Sequence, residues 1–279
     1  MFKGVDEGVV ATSLVAVGVA VLLPLVLASW ARRRLGVAWK VVGWGALAFA
    51  VSQLFTRLPL IQALQVVLAP ALKDSPALEL LWVVFACLTA GLFEETARLW
   101  AFGRPLKDFR RWRDAVGFGV GHGGLEWVVL GAGATVLLLV NMATLAQLDP
   151  ATLSLPPDRL EAVMNAKQTI AEMRWWAPLL GLWERVGAMV THIMLSVLVL
   201  QRYVKGSLRW YWLAVAVHFV FNLAVVLAQR FWGVLAAEGV VTLLALAGLA
   251  VILRFRREEA VPRDSSQAPP PELSHSAAS

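Results

Sequence analysis

Apolar stretches of about 20 residues recur along the chain, and charged residues are concentrated in the short segments between them. A helix of this length crosses a hydrocarbon core of about 30 Å, so each stretch predicts a transmembrane span. The stretches are continuously apolar and lack the alternating pattern of barrel strands, which excludes a β-barrel. The sequence therefore predicts an all-α, polytopic membrane protein with about seven spans: 9–30, 41–56, 77–101, 115–141, 177–201, 209–229 and 233–253.

One further apolar segment, 58–72, is short and interrupted. It contains Pro59 and Pro70 and is flanked by Arg57 and Lys73. Because proline removes a backbone donor and bends or ends a helix, the segment is predicted to be a re-entrant or interfacial helix. An eighth span is the alternative.

Two other segments are not predicted to span the membrane. Residues 141–176 contain several prolines and charges, which predicts an outside loop with one short surface helix over 158–173. Residues 258–279 are rich in Pro, Ser and Ala, a composition typical of a disordered tail. We therefore expect a single transmembrane domain, 1–257, followed by this tail.

Composition agrees with a membrane protein and predicts its orientation. Hydrophobic residues make up 59% of the chain and charged residues 16%, against roughly 25% charged in an ordinary soluble domain. The net charge of +6 could suggest nucleic acid as a partner, but the basic residues lie in short loops, where membrane orientation explains them better. With the amino terminus outside, fourteen Lys and Arg residues fall in inside loops and seven in outside segments, so the carboxyl terminus is expected in the cytoplasm. The inside set is Arg32, Arg33, Arg34, Lys40, Arg104, Lys107, Arg110, Arg111, Arg113, Lys205, Arg209, Arg254, Arg256 and Arg257.

Several polar or charged residues remain inside the predicted spans, where each charge costs at least about 2.5 to 3.5 kcal/mol on insertion scales. At 1.5 Å per residue, one glutamate and three histidines lie about 12 to 15 Å from the cytoplasmic ends of their four helices. A common depth predicts that these groups form one polar cluster, in which they satisfy each other. The residues within the spans are Glu94, Glu95, Arg98, His122, Glu126, Glu184, Arg185, His192, His218, Asn222 and Glu238.

Spacing along each helix supports a shared site. Four pairs of these residues are four or eight positions apart, which places both members of each pair on one helix face. The pairs are Glu94 with Arg98, His122 with Glu126, Glu184 with His192, and His218 with Asn222.

Structural roles are the alternative for three of these features. The glycine run 117–124 around His122 lets a neighbouring helix or an extended peptide approach closely. Glu126 can be an acceptor that orients His122 without direct chemistry. Glu238 begins the last span near the outside surface and is interpreted as a charge at a helix start.

Three short motifs follow one another on successive predicted spans: EExxR at 94–98, FxxxH at 118–122 and HxxxN at 218–222. In this order they resemble the CAAX-protease and bacteriocin-processing superfamily of intramembrane proteases, also called the Abi or CPBP group. The stretches EETAR, GHGGLEW and WERVGAMVTHI are more similar to its YhfC-type branch, which is described as intramembrane metalloproteases. The resemblance covers about residues 40–225.

The resemblance implies a role for each motif residue. Glu94 matches the glutamate that activates the water, and Glu95 with Arg98 completes that motif. In the CAAX prenyl proteases of the group, histidine and asparagine hold the water and the developing oxyanion. The residues that match them here are His122, His218 and Asn222.

Two residues that the simple CAAX pattern lacks, Glu126 and His192, leave the metal question open. Peptide hydrolysis needs a nucleophilic water, a base and oxyanion donors, which Glu94 and the motif histidines and asparagine supply without metal. Alternatively, three histidines with one open coordination position form a zinc-hydrolase arrangement, with Glu94 as the base and Glu126 orienting an imidazole. The Zn²⁺ ligands would then be His122, His192 and His218.

We therefore expect an intramembrane peptidase whose substrate is a membrane-embedded or lipid-modified peptide. The lipid bilayer is the other expected partner, and no nucleic acid is expected. A proton-coupled transporter also places buried Glu, His and Arg near mid-membrane, and a catalytically silent scaffold is the third class. The order of the three motifs and the lack of an internal sequence repeat favour the peptidase.

Overall fold

The computed structural model describes residues 4–260, and the regular structure in that range is helical. Seven helices are long and apolar enough to cross a membrane, which confirms the predicted all-α, polytopic fold. They are α1 (Glu7–Leu35), α2 (Trp39–Asp74), α3 (Pro76–Gly103), α4 (Trp112–Gln147), α6 (Ala177–Val204), α7 (Arg209–Trp232) and α8 (Val234–Ala260). A shorter α-helix, α5 (Pro157–Ala171), follows a 3-10 turn at Pro150–Thr152; it is a surface helix and confirms the helix predicted over 158–173.

The apolar segment 58–72 is neither a re-entrant helix nor a separate span, so these two expectations are wrong, while its position at the membrane interface stays a prediction. It continues the second span without a break, as part of α2. A π-helical segment, Ala50–Arg57, lies directly before it, and Pro59 falls in the first turn of the α-helical part that follows. A proline in a first turn breaks no hydrogen bond within its own α-helical segment, so the helix continues. No side chain of Leu58–Asp74 is buried, and this part of α2 lies on the outside of the bundle.

The boundaries of the predicted loop and tail shift by a few residues. Helix α4 continues to Gln147, so the first residues of the segment predicted as a loop from 141 are helical. Helix α8 continues to Ala260 and includes the first three residues of the predicted tail. The rest of that tail, 261–279, lies outside the described residues, and its predicted disorder stays a prediction.

The predicted inside loops meet at one end of the bundle. Arg113 at the start of α4 donates from Nη1 to the Leu35 carbonyl at the end of α1, at 3.2 Å. Lys205 after α6 contacts the Glu258 carboxylate near the end of α8, with Nζ and Oε2 2.8 Å apart. This grouping agrees with the alternating topology, and the side of the membrane on which it lies stays a prediction.

Helix α4 packs at the centre of the bundle because its glycines leave room for two neighbouring backbones. A Cβ at Gly121 would lie 2.0 Å from the Val42 carbonyl oxygen of α2, and one at Gly119 would lie 2.5 Å from the Ile193 Cα of α6. The predicted close approach at the glycine run is therefore made by helices on two sides of α4. At these two positions helices, and not an extended peptide, fill the space.

Candidate active site

Glu94 lies at the centre of a buried polar cluster, in the second half of α3. Its Oε1 accepts a hydrogen bond from Gln53 Nε2 at 2.5 Å, and its Oε2 lies 2.8 Å from His122 Nε2. The Arg98 guanidinium, one turn further along α3, is 3.5 Å from the same Oε2. The Glu94 side chain is only 5% exposed, so these contacts replace water in holding its charge.

The three membrane histidines surround Glu94, as their common depth predicts. Besides the His122 contact, His192 Nδ1 lies 3.8 Å from Glu94 Oε2, and His218 Nε2 lies 3.8 Å from Glu94 Oε1. The rings of His122 and His192 have centroids 4.9 Å apart, and those of His192 and His218 have centroids 6.0 Å apart. Four helices, α3, α4, α6 and α7, thus contribute to one cluster.

Glu95 and Arg98 form a buried ion pair that also holds two of the histidines. Arg98 Nη1 contacts Glu95 Oε1, and both side chains are fully buried. The same Glu95 oxygen lies 2.8 Å from His218 Nδ1, and Arg98 Nη2 lies 2.7 Å from His192 Nδ1. The pair therefore orients imidazoles on both α6 and α7.

These contacts determine which nitrogen of each imidazole carries its proton. A guanidinium only donates, so His192 Nδ1 accepts from Arg98, and the proton of a neutral His192 lies on Nε2. A carboxylate only accepts, so His218 Nδ1 donates to Glu95, and a neutral His218 keeps a lone pair on Nε2. That lone pair belongs to the nitrogen 3.8 Å from Glu94 Oε1.

The Glu126 carboxylate contacts the imidazole of His192 and not that of His122. Its Oε2 lies 2.5 Å from His192 Nε2, and its Oε1 accepts from Arg185 Nη1 at 2.9 Å. The interpretation of Glu126 as the acceptor for His122 is therefore wrong, because His122 Nε2 is taken by Glu94 while its Nδ1 is buried without a partner. Arg185 also contacts Glu184, so this ion pair, which the spacing allows, extends the polar network along α6.

Gln53 and Arg57 belong to the cluster and were not among the predicted site residues. Arg57 Nη1 donates to Gln53 Oε1 at 3.0 Å, which leaves the amide nitrogen of Gln53 to face Glu94. Arg57 Nε and Nη2 are held by Thr89 Oγ1 and the Ala86 carbonyl oxygen. The signal for Gln53 in the sequence is an amide inside the apolar stretch 41–56. In the structure both residues lie in the π-helical segment Ala50–Arg57, and such segments are frequent at functional sites.

A cavity of about 430 Å³ opens onto this cluster. Glu94, His192 and His218 line one part of it, together with Asn222, which lies one turn after His218 and is half-buried. Glu238 also lines the cavity and is only 9% exposed, so it is not a surface charge at a helix start as predicted. His122 is not on the wall and contacts Glu94 from within the bundle.

Four side chains form a group that could hold a metal ion. Glu94, His122, Glu126 and His192 each offer a ligand atom, and these four atoms lie within 4.8 Å of one another. Two imidazoles and two carboxylates are a donor set that zinc accepts. This group differs from the predicted ligand set in having two carboxylates in place of His218, and the three-histidine set stays a prediction.

Comparison with known proteins finds a matching family and a relative. A family described as YhfC intramembrane metalloprotease matches residues 19–245, a range that contains every residue of the cluster. The chain is 30% identical over 249 residues to the "Uncharacterized membrane protein YhfC" of Bacillus subtilis (strain 168). That similarity covers 86% of this chain and 93% of the relative. No solved structure matches the chain.

Proposed function

The chain belongs to the YhfC intramembrane metalloprotease family, and on this premise we propose that it hydrolyses a peptide bond of a membrane-associated substrate. The observation that carries the proposal is the arrangement around Glu94, a buried carboxylate with three histidines within 3.8 Å at the wall of a cavity. So many ionisable groups within a membrane layer are costly, and a functional site is the usual reason for them. The wider resemblance to the CAAX-protease group stays a prediction.

Glu94 and His218 are the residues that would bind and activate the water. A water molecule in the cavity can bond to both Glu94 Oε1 and His218 Nε2, because their separation of 3.8 Å is spanned by two bonds of about 2.8 Å. As the water oxygen attacks the carbonyl carbon of the substrate, Glu94 takes its proton. When the carbon–nitrogen bond breaks, Glu94 returns that proton to the leaving amine.

The remaining residues would hold these two in place and receive the developing charge. Gln53 and His122 fix both oxygens of Glu94, and Glu95 fixes the tautomer of His218. Asn222, on the cavity wall one turn from His218, is a side-chain amide that can donate to the oxyanion. Donors that are already in position require no rearrangement as the charge develops.

The buried donor group fits a zinc ion, which we propose as the cofactor. Glu94, His122, Glu126 and His192 would each provide one ligand atom, so the second oxygen of Glu94 would remain available to take the proton. The Nδ1 of His122 is buried without a hydrogen-bond partner, so it has unused bonding capacity. Bound zinc polarises a carbonyl group and lowers the pKa of bound water. Arg185, which donates to Glu126 Oε1, would orient that ligand.

The cavity supports the proposed substrate class. Its walls between α2, α3, α4, α6, α7 and α8 carry many apolar side chains, among them Val225, Val226 and Leu130. Such walls suit an apolar segment of a membrane-embedded or lipid-modified peptide.

The proposal is tested with purified protein in lipid nanodiscs and a quenched fluorescent transmembrane peptide. We expect Glu94→Gln to abolish hydrolysis while thermal unfolding stays cooperative, because the amide keeps the shape but cannot take a proton. The matched control is Glu161→Gln on the exposed face of α5, which makes the same change away from the site and should cleave at the wild-type rate. Undiminished cleavage by Glu94→Gln would refute the proposal, and proton-coupled flux without cleavage would favour a transporter.

A further inference from the structure

A second polar feature of the cavity has no role in the proposed hydrolysis. Glu238, in the second turn of α8, is 9% exposed and lines the cavity, and its Oε2 is buried without a hydrogen-bond partner. Leaving a buried carboxylate unpaired is costly, and natural proteins usually pair such a group. Its position on the cavity wall makes a ligand group the natural partner.

The packing of α6 against α8 places a second carboxylate at the same level. A Cβ at Gly187 would contact Val241, and Gly248 lies against Met194, so both contacts join positions that are 54 apart in the sequence. A constant difference means that the two helices run parallel in fixed register. Glu184 and Glu238 are separated by the same interval, so they lie side by side, and both line the cavity.

The neighbouring cations do not neutralise this pair. Arg185 contacts Glu184 but is shared with Glu126, and all three nitrogens of Arg57 are already bonded to residues of α2 and α3. Glu238 makes no ion pair with any described residue. Among the described residues, this part of the cavity therefore holds a carboxyl group, that of Glu238, with no cation paired to it, in apolar surroundings.

We propose that Glu238, with Glu184 beside it, is a subsite for a cationic side chain of the substrate, the ammonium of Lys or the guanidinium of Arg. This inference rests on the proposed peptidase function. The eight residues from Glu184 to His192 span about 12 Å along α6. An extended peptide covers about 3.3 Å per residue, so the cation would lie three or four residues from the bond that is cleaved. Glu238 thus selects the substrate and takes no part in the reaction.

The test uses transmembrane peptides that differ only in the position of one Lys, scanned two to six residues from the cleaved bond on both sides. Each has a partner peptide with Leu at the same position, and kcat/KM is measured with the full chain in nanodiscs of zwitterionic lipid. We expect Lys at three or four residues on one side to raise kcat/KM at least about tenfold over Leu. In Glu238→Gln the ratio should fall close to one, whereas Glu161→Gln on exposed α5 should keep the wild-type ratio.

The outcomes separate this inference from the peptidase proposal. Cleavage without any preference for Lys, or the same preference in Glu238→Gln, would overturn the subsite and leave the peptidase intact. If the wild type cleaves neither peptide, the peptidase proposal fails. The subsite is then tested by measuring how tightly the fluorescent Lys and Leu peptides bind to the same protein. A binding preference for Lys that Glu238→Gln removes would support the subsite, and equal binding would overturn it. Glu184→Gln repeats the test should Glu238→Gln not fold.

Discussion

Gln53 tests whether the orientation of Glu94 matters for hydrolysis, because only the folded structure brings Gln53 to the site. Its amide donates to Glu94 at 2.5 Å, and Arg57 holds the amide in that orientation. We expect Gln53→Leu to weaken catalysis while the protein still folds. Glu94 keeps its contact with His122 in this variant, and Arg57 keeps its bonds to Thr89 and the Ala86 carbonyl oxygen.

The size of the effect follows from the type of bond that is lost. A hydrogen bond to a charged group contributes about 1.5 to 3 kcal/mol. If Gln53 holds Glu94 in the orientation needed in the transition state, that loss corresponds to about a 10- to 150-fold fall in kcat. KM should change little, because Gln53 acts through Glu94.

The assay is steady-state hydrolysis of the transmembrane peptide in nanodiscs, with thermal unfolding followed on the same samples. Gln168→Leu is the matched control, since Gln168 donates to Glu172 at 2.8 Å on exposed α5, far from the site in the sequence. It should leave both kcat and KM unchanged. A kcat of Gln53→Leu within twofold of wild type, or a change in KM alone, would refute the positioning role.

Three other predictions concern packing, topology and metal binding. Gly121→Ala should lower the free energy of unfolding by about 1 to 3 kcal/mol or more, because its Cβ would lie 2.0 Å from a carbonyl oxygen, while Gly133→Ala, with open space, should not. Reporter fusions after Arg257 should be cytoplasmic and insertions at Asp158 outside, and the reverse pattern would contradict the positive-inside argument. His218→Ala should keep the metal content of the purified protein, whereas replacing Glu94, His122, Glu126 or His192 by Ala should lower it. Loss of metal from His218→Ala would favour the three-histidine set.

Most of the fold follows from hydropathy, since a helix that crosses the bilayer needs a long apolar stretch and the sequence shows where each one lies. The segment 58–72 differs from its prediction because Pro59 does not interrupt the helix. Its effect depends on its place in a turn, and the π-helical segment before it puts it where a proline is tolerated. Local composition does not show such a segment.

The candidate site could be predicted as a layer but not as a network. Depth along each helix brings Glu94 and the three histidines together, because helical rise is constant. The partner of each group depends instead on helix rotation and relative height, which is why Glu126 was paired with His122 while the structure pairs it with His192. Gln53 gives a weaker signal in the sequence, since burying an uncharged amide in an apolar span costs less than burying a charge.

The most direct test of the account is to measure zinc content and peptide hydrolysis on one purified sample of the wild-type protein in nanodiscs. The account predicts one zinc ion per chain, cleavage of the transmembrane peptide, loss of both after chelation and recovery of both when zinc is added back. Full hydrolysis by the chelated, zinc-free protein would contradict the role of the metal. Absence of hydrolysis by folded, zinc-loaded protein across the peptide series would contradict the peptidase itself.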